Sequence, residues 1–391
     1  MPRYRSSSAE PAESLSPPFW NLPVADMVTR VTNGDRSSMR AAVMHAANDI
    51  RIDEVPRPVA GPGELLLRVE TVGICGTDAA EFAHPSKFFP IERRHPVTGH
   101  LGPFVPGHEF SGRVVSFGSG VEGFSEGDLV ASAGSVGCGD CAFCNSGRPS
   151  RCDRYWAVGL QSNGALAEYC TVPAESCIEV GALGLTPDAA ALAQPMAIAV
   201  HALRRGRVRG GEDVAVIGAG GIGVFVSFAA AAAGCRVLAV DLSQERLDIA
   251  SSLGASSTVL AGSGFDMTGV AEVVFEITGT EAGLETALAV LGPGGRLVAV
   301  GFQKQPLTVD VAALTAAEHE WIGTNGIDAA VDLPKAARLL AAREGSWGDV
   351  APLVHPLSET SNLLGTLGSG QTRAIKTLIS PGVEQVRASH M

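Results

Sequence analysis

Four of the chain's eight cysteines, Cys138, Cys141, Cys144 and Cys152, fall within sixteen residues, in the spacing C-x2-C-x2-C-x7-C. Four thiolates on one short loop suit a tetrahedral Zn²⁺. Gly137, Gly139 and Gly147 give that loop the freedom to wrap a metal. Disulfides across two-residue gaps are sterically poor. A site closed by four protein ligands has no open position, so the expected role is structural. Chance clustering or redox-active thiols is the rival reading. Cys170, Cys177 and Cys235 lie in apolar surroundings and read as buried small hydrophobes. Cys75 stands apart, at the end of an apolar run in "VGICGTDAAEF".

A second group is Gly107-His108-Glu109 in "VPGHEFSGRVV". Adjacent residues on a strand point to opposite faces. A turn after Pro106-Gly107 lets both side chains reach one ion. The third group is "VAVIGAGGIG", in which Gly218, Gly220 and Gly223 form G-x-G-x-x-G with Gly221 extra. Such glycines permit a tight turn, a close approach to a pyrophosphate and close helix–strand packing. The helix N-terminus beyond favours phosphate charge. Asp241 follows Gly223 by eighteen residues, near the spacing of an acid that binds the ribose hydroxyls. Its carboxylate should repel a 2′-phosphate, so NAD is expected rather than NADP.

These groups need elements to hold them. Val214 to Ile217 reads as a first strand, followed by a glycine turn and a buried helix, and "CRVLAVD" as a second strand ending at Asp241. "AEVVFEITG", "EAGLETALAVL" and "GRLVAVGF" continue as strand, helix and strand of one doubly wound sheet. "WIGTNG" is a last strand, and "AAVDLPKAARLLAAREG" an amphipathic helix. The uncharged run Val214 to Cys235 is long enough to span a bilayer. Its glycines favour a buried strand and helix instead.

The motifs "GICGTD", "PGHEFSG", the cysteine loop and "VIGAGGIG", in that order, resemble the zinc-containing medium-chain alcohol and polyol dehydrogenases. The resemblance spans 39–381 and implies an α/β fold: a GroES-like, β-rich catalytic domain plus a doubly wound Rossmann domain. The expected division is 39–193 with 325–383 for the zinc domain and 194–324 for the NAD domain. Residues 1–38, polar and Ser/Pro/Glu-rich, are expected to be disordered. The closing "ASHM" reads as an appended remnant, and 384–391 as a tail.

The resemblance further implies that Cys75 and His108 bind a catalytic zinc, with Glu109 a further or alternate ligand. Thr77 matches the hydroxyl that takes the alcohol proton; its rival role is pairing with backbone at a strand end. "HPVTGHLGP" is similar to the butanediol and polyol branch, which implies a secondary alcohol or vicinal diol as substrate. His84, His95 and His100 are expected on loops or the surface, and His201 on a helix face, none as ligands. Two positions depart from the family. Gln194, in "AQPM", stands where this branch often carries Glu, and Ala80 where many relatives place a relay His. Glu81 is a possible substitute through water. A non-enzymatic NAD- and zinc-binding protein and a zinc-free quinone reductase are the rival readings.

Composition agrees with a large folded protein. The chain has 391 residues, 46% apolar and 18% charged, enough for two domains. Its formal net charge of -12 argues against nucleic acid or an anionic membrane as partner. The first residues have no apolar secretory core, so reduced thiols and a cytoplasmic location are expected. The family resemblance implies a homodimer or homotetramer.

Overall fold

The structure, a computed structural model, describes residues 38–391 apart from 86, 265, 303–304 and 370–373. Except for Ser38, the expected N-terminal extension lies outside the described residues. The first periodic segment is a hairpin, Ser38–Ala46 against Asp49–Pro56. Ala46 pairs with Asp49, and Asn48 takes φ 57° in the turn between them. Asn tolerates the left-handed region better than most residues.

Two larger sheets organise the rest. The first is eight-stranded and mostly antiparallel. Its long central strand, Glu64–Ile74, pairs with Glu109–Phe117, Tyr169–Pro173 and Thr377–Ser380. The side chains of Leu65, Leu67 and Val72 are fully buried. The closing segment "AIKTLISP" thus returns across most of the chain to sit beside the strand that leads into Cys75.

The second sheet is parallel. In spatial order its strands are Ser257–Leu260, Arg236–Asp241, Asp213–Ile217, Ala271–Glu276, Leu291–Ala299 and Glu320–Gly323. Numbered by chain position the order is 3-2-1-4-5-6, that of a dinucleotide-binding sheet. Helix Gly223–Ala232 follows the first strand and Glu281–Val290 the fourth. Val214, Ala215, Val216, Val273, Val274 and Phe275 have at most 1% exposure, because helices cover both faces of a parallel sheet. The uncharged run that met the length of a bilayer is therefore strand, turn and a short helix. Among the described residues no helix is long and apolar enough to cross a membrane.

The C-terminal residues differ from the expected tail. Arg387–Ala388 is a strand against Leu353–Pro356. Arg387 donates to both oxygens of Asp188 at 2.7 and 2.9 Å, and the His390 N–H donates to Asp188 at 2.7 Å. Burial pushes the Asp188 pKa up, but these bonds and that of the Thr71 hydroxyl outweigh it and hold the carboxyl below its ordinary value. A buried carboxylate needs such partners, and the last residues supply them.

Candidate active site

Cys75 follows the central strand and is the N-cap of helix Gly76–Ala83. His108 precedes strand Glu109–Phe117, whose first residue is Glu109. Gly107, at φ 102°, makes the turn between Pro106 and His108. One donor atom from each of Cys75, His108 and Glu109 lies within 4.8 Å of the other two. The turn therefore brings His108 and Glu109 to the same place as Cys75.

Two residues that the sequence did not single out fix this group. Asp78, buried to 1% exposure, accepts from the Cys75 N–H at 2.9 Å and lies 3.2 Å from His108 Nδ1. A carboxylate on one ring nitrogen fixes the tautomer and leaves the other nitrogen for a metal. Burial alone lowers the His108 pKa, but the charge and hydrogen bond of Asp78 and the neighbouring Cys75 push it well up. Asp78 lies three residues after Cys75, the spacing of a capping box, and that is the local signal for it.

The second is Lys376, in the segment that returns to the central strand. Its Nζ is 2.6 Å from each oxygen of Glu109, and both side chains are at most 3% exposed. Burial works against the charged ammonium, yet Glu109, Cys75 and Asp78 hold the Lys376 pKa above its ordinary value. A Cβ at Gly73 would stand 2.6 Å from Glu109 Oε2, so glycine leaves the space the carboxylate fills. The expected further or alternate ligand thus faces a lysine as well as the thiol and imidazole. Lys376 also stands beside the glycine turn: a Cβ at Gly221 would lie 3.6 Å from its Cε.

Thr77 is half-buried in the first turn of the helix and not at a strand end. Ala80 is exposed on the same helix. Glu81 is buried, and its carboxylate accepts from the backbone N–H groups of Lys87, Phe88 and Phe89 at 3.0–3.4 Å. It fastens that loop, which commits the group expected to stand in for the relay histidine. Gln194 is buried near the start of helix Ala193–Arg205, which packs against strand Glu109–Phe117.

The cysteine loop also converges. The sulfurs of Cys138, Cys141, Cys144 and Cys152 all lie within 4.8 Å of one another, and no cysteine forms a disulfide among the described residues. Backbone N–H groups of Cys138 and Arg154 point at Cys152 Sγ from 3.4 and 3.3 Å, and that of Cys144 at Cys141 Sγ from 3.5 Å. The Cys144 N–H lowers the Cys141 pKa to about 7. Such donors favour the thiolates of Cys141 and Cys152, and the convergence of all four sulfurs fits a tetrahedral Zn²⁺. A Cβ at Gly137 would stand 2.8 Å from Cys144 Sγ.

The glycine turn has the form a pyrophosphate requires. Gly218 has φ 100°, and a Cβ there would meet Thr278 Cγ2 at 2.8 Å. At Gly223 a Cβ would stand 1.7 Å from the Gly218 carbonyl, so no side chain fits. Gly220 is open apart from Arg246 at 4.0 Å. Asp241, at the end of the second strand, accepts from the Ala219 N–H at 2.7 Å and the Ser243 N–H at 2.9 Å. Arg246 Nη1 lies 3.9 Å from Asp241 Oδ1, the oxygen that accepts from Ser243. Arg246 was not singled out from the sequence.

The remaining histidines divide. His84 is exposed, and His95 accepts from the Thr98 N–H at 3.2 Å. His100 lies on a loop, as expected, but is fully buried, edge-on to Phe104. His201 is buried on its helix, with Nδ1 2.7 Å from Asp332. His201, Asp328 and Asp332 form a third cluster of metal-ligand type, but Arg204 bonds to both carboxylates.

An alcohol dehydrogenase GroES-like domain model matches residues 61–182, and a zinc-binding dehydrogenase model matches residues 221–342. The chain is 33% identical over 294 residues to an erythritol/L-threitol dehydrogenase of Mycolicibacterium smegmatis, covering 72% of this chain and 81% of the relative. It superposes on the 2R,3R-butanediol dehydrogenase of Bacillus subtilis with a TM-score of 0.80 and 29% identity, over 88% of this chain and 100% of that one. A zinc-binding dehydrogenase of Sinorhizobium meliloti, bound to NADP, gives a TM-score of 0.79 and 26% identity over 88% and 100%.

Proposed function

The chain belongs to the zinc-containing medium-chain alcohol and polyol dehydrogenases, and from that premise we propose that it oxidises a vicinal diol or polyol at a zinc held by Cys75 and His108, with NAD as acceptor. It is an oxidoreductase that moves a hydride between an alcohol and a nicotinamide dinucleotide. The observation that carries the reading is the meeting of Cys75, His108 and Glu109, with Lys376, bonded to Glu109, standing beside the turn at Gly221. The metal site and the cofactor turn are thereby one connected place.

When bound there, zinc supplies Lewis acidity that makes an alcohol more acidic and polarises a carbonyl. The chain's own residues do the rest. Asp78 orients His108 and the Cys75 backbone. Lys376 neutralises Glu109, so the buried pocket carries one less uncompensated charge. Thr77, one helical turn from Ala80, receives the alcohol proton and passes it outward. With Ala80 in the relay position and Glu81 bound to its loop, the proton leaves through water. Gln194 in place of an acid removes a negative charge near the metal.

Cys138, Cys141, Cys144 and Cys152 hold a second, structural zinc in this reading. The zinc domain comprises 39–193 with 325–383, and the NAD domain 194–324. Asp241 selects NAD by bonding the ribose hydroxyls. A second reading, NADP, has support in Arg246, which stands beside both Gly220 and Asp241 where it can meet a 2′-phosphate. Association into a homo-oligomer is favoured by the sheet edge Glu320–Gly323, where Trp321 is 44% exposed. Helix Val311–Ala316 nearby in sequence has no buried residue. Eight unpaired thiols suit the reducing cytoplasm.

The test is metal analysis joined to a substrate panel. Two zinc ions per chain and steady NADH formation with erythritol, threitol or butanediol are expected. Cys75→Ala should keep the structural zinc and abolish turnover. A metal-free protein, or one with zinc but no turnover on any alcohol or polyol, would overturn the reading.

A further inference from the structure

A cavity of about 230 Å³ lies outside the sites above. It is lined by Ser150, Arg151, His201, Arg205, Thr324 and Asn325, with the backbone of Gly323. None of the candidate zinc ligands and no residue of the glycine turn reaches it. Three elements meet there: the stretch before Cys152, the last turns of helix Ala193–Arg205, and the residues just after the edge strand Glu320–Gly323.

Its charge is unbalanced in a particular way. Arg204 is matched by Asp328 and Asp332, and Arg207 by Glu320 at 2.6 Å. Among the described residues neither Arg151 nor Arg205 has a carboxylate within ion-pair distance. Arg205 donates only to the neutral carbonyl of Gly323, at 3.1 and 3.3 Å. Burial and repulsion from Arg151, Arg204 and Arg207 push the Arg205 pKa below its ordinary value, against the pull of Asp328, which also accepts from the Ser150 N–H at 3.1 Å. Like charges gathered at a concave surface raise the local concentration of an anion. Guanidiniums bind phosphate oxygens in a fixed two-pronged geometry.

Around these two arginines stand neutral donors. Ser150 and Thr324 carry hydroxyls and Asn325 an amide. As a cation site the place fails, because Arg204 occupies the carboxylates behind His201. The volume exceeds what one phosphate fills, since a water takes roughly 30 Å³. It leaves space for a stem of a few carbons.

We propose that Arg151 and Arg205, with the hydroxyls of Ser150 and Thr324, form a binding site for the phosphate group of a small phosphorylated metabolite, separate from the cofactor's own phosphate site. The inference does not rest on the dehydrogenase reading and holds for a catalytically dead variant.

The experiment uses the full-length, zinc-loaded protein saturated with NADH, so that the glycine turn is filled. Glycerol 3-phosphate is titrated against melting temperature, with glycerol in sodium chloride of equal ionic strength as control. A ligand that binds only the folded state raises the melting temperature by mass action. A saturable rise is expected with the phosphate ester. Arg151→Gln and Arg205→Gln should each weaken it about tenfold or more, by loss of one charged hydrogen-bonding partner. Arg207→Gln, whose side chain is paired with Glu320, should leave it unchanged. Two arginine variants on different elements keep the test decisive if one fails to fold. No rise above the salt control, or the same affinity in both variants, overturns the proposal. Inorganic phosphate binding as tightly as the ester overturns the assignment to a metabolite.

Discussion

Replacing Asp78 by Asn changes one atom in size hardly at all, yet it removes one of two acceptors that the site uses together. In the native protein one carboxylate oxygen takes the Cys75 N–H at 2.9 Å and the other faces His108 Nδ1 at 3.2 Å. Both side chains of the Asp78–His108 pair are buried, at 1% and 7% exposure. An amide has one oxygen for these two jobs. With the oxygen toward His108, the NH2 group meets the Cys75 N–H, donor against donor. With the oxygen toward Cys75, the NH2 group faces Nδ1 and forces the imidazole proton onto Nε2, the nitrogen a metal needs. Either outcome leaves a buried polar group unsatisfied, at a cost of about 1–3 kcal/mol. That is roughly 5- to 150-fold in an equilibrium constant, and it agrees with the ~10–100-fold effect typical of outer partners of metal ligands. Zinc release to a chromogenic chelator measures it, with total metal counted by mass spectrometry. One zinc per chain should become about 10–100-fold easier to remove, while the other and the circular dichroism spectrum stay unchanged. If both zinc ions of the Asn variant bind within twofold of wild type, Asp78 does not orient His108 and the argument is wrong.

Other outcomes follow from the same geometry. Cys141→Ser should cost one zinc and lower the melting temperature, because a structural metal contributes folding free energy; a variant that melts like wild type with one zinc fewer would remove the structural role. Asp241→Asn keeps an acceptor for the Ala219 N–H but removes the charge, so the ratio of kcat/KM for NAD over NADP should fall about tenfold or more; a wild type that already prefers NADP would favour the Arg246 reading. Glu64 supplies a pH test. Burial raises its pKa to about 7 from an ordinary 4.5, with the Gly61 N–H opposing. Between those values the folded chain holds a proton that the unfolded chain has lost, so this group's contribution to stability falls as pH rises, by up to about 3 kcal/mol above pH 7. Glu64→Gln should therefore raise the melting temperature at pH 8 and leave it nearly unchanged at pH 4; an equal change at both values would show that ionisation is not the cause.

The sequence by itself determined what depends on local spacing. The four cysteines, the glycine turn and Asp241 sit within single strand–turn–helix or loop units, and their geometry follows from a few dihedral angles. The parallel sheet was legible for the same reason: its buried strands are continuous apolar runs separated by glycines and helical periodicity. "WIGTNG" proved to be strand Glu320–Gly323. Asp78 was within local reach, three residues after Cys75, but its bond to His108 crosses from a helix to another strand. Lys376 was not readable at all. It reaches Glu109 because Thr377–Ser380 pairs antiparallel with the central strand, Thr377 opposite Ile74, and a one-residue slip would turn its side chain to the other face. The same holds for the C-terminal residues, whose place is decided by a buried Asp188, and for Arg151 and Arg205, far apart in the chain and adjacent only in the fold. Charge balance in a buried site is a sum over neighbours in space, and only the tertiary structure supplies the neighbours.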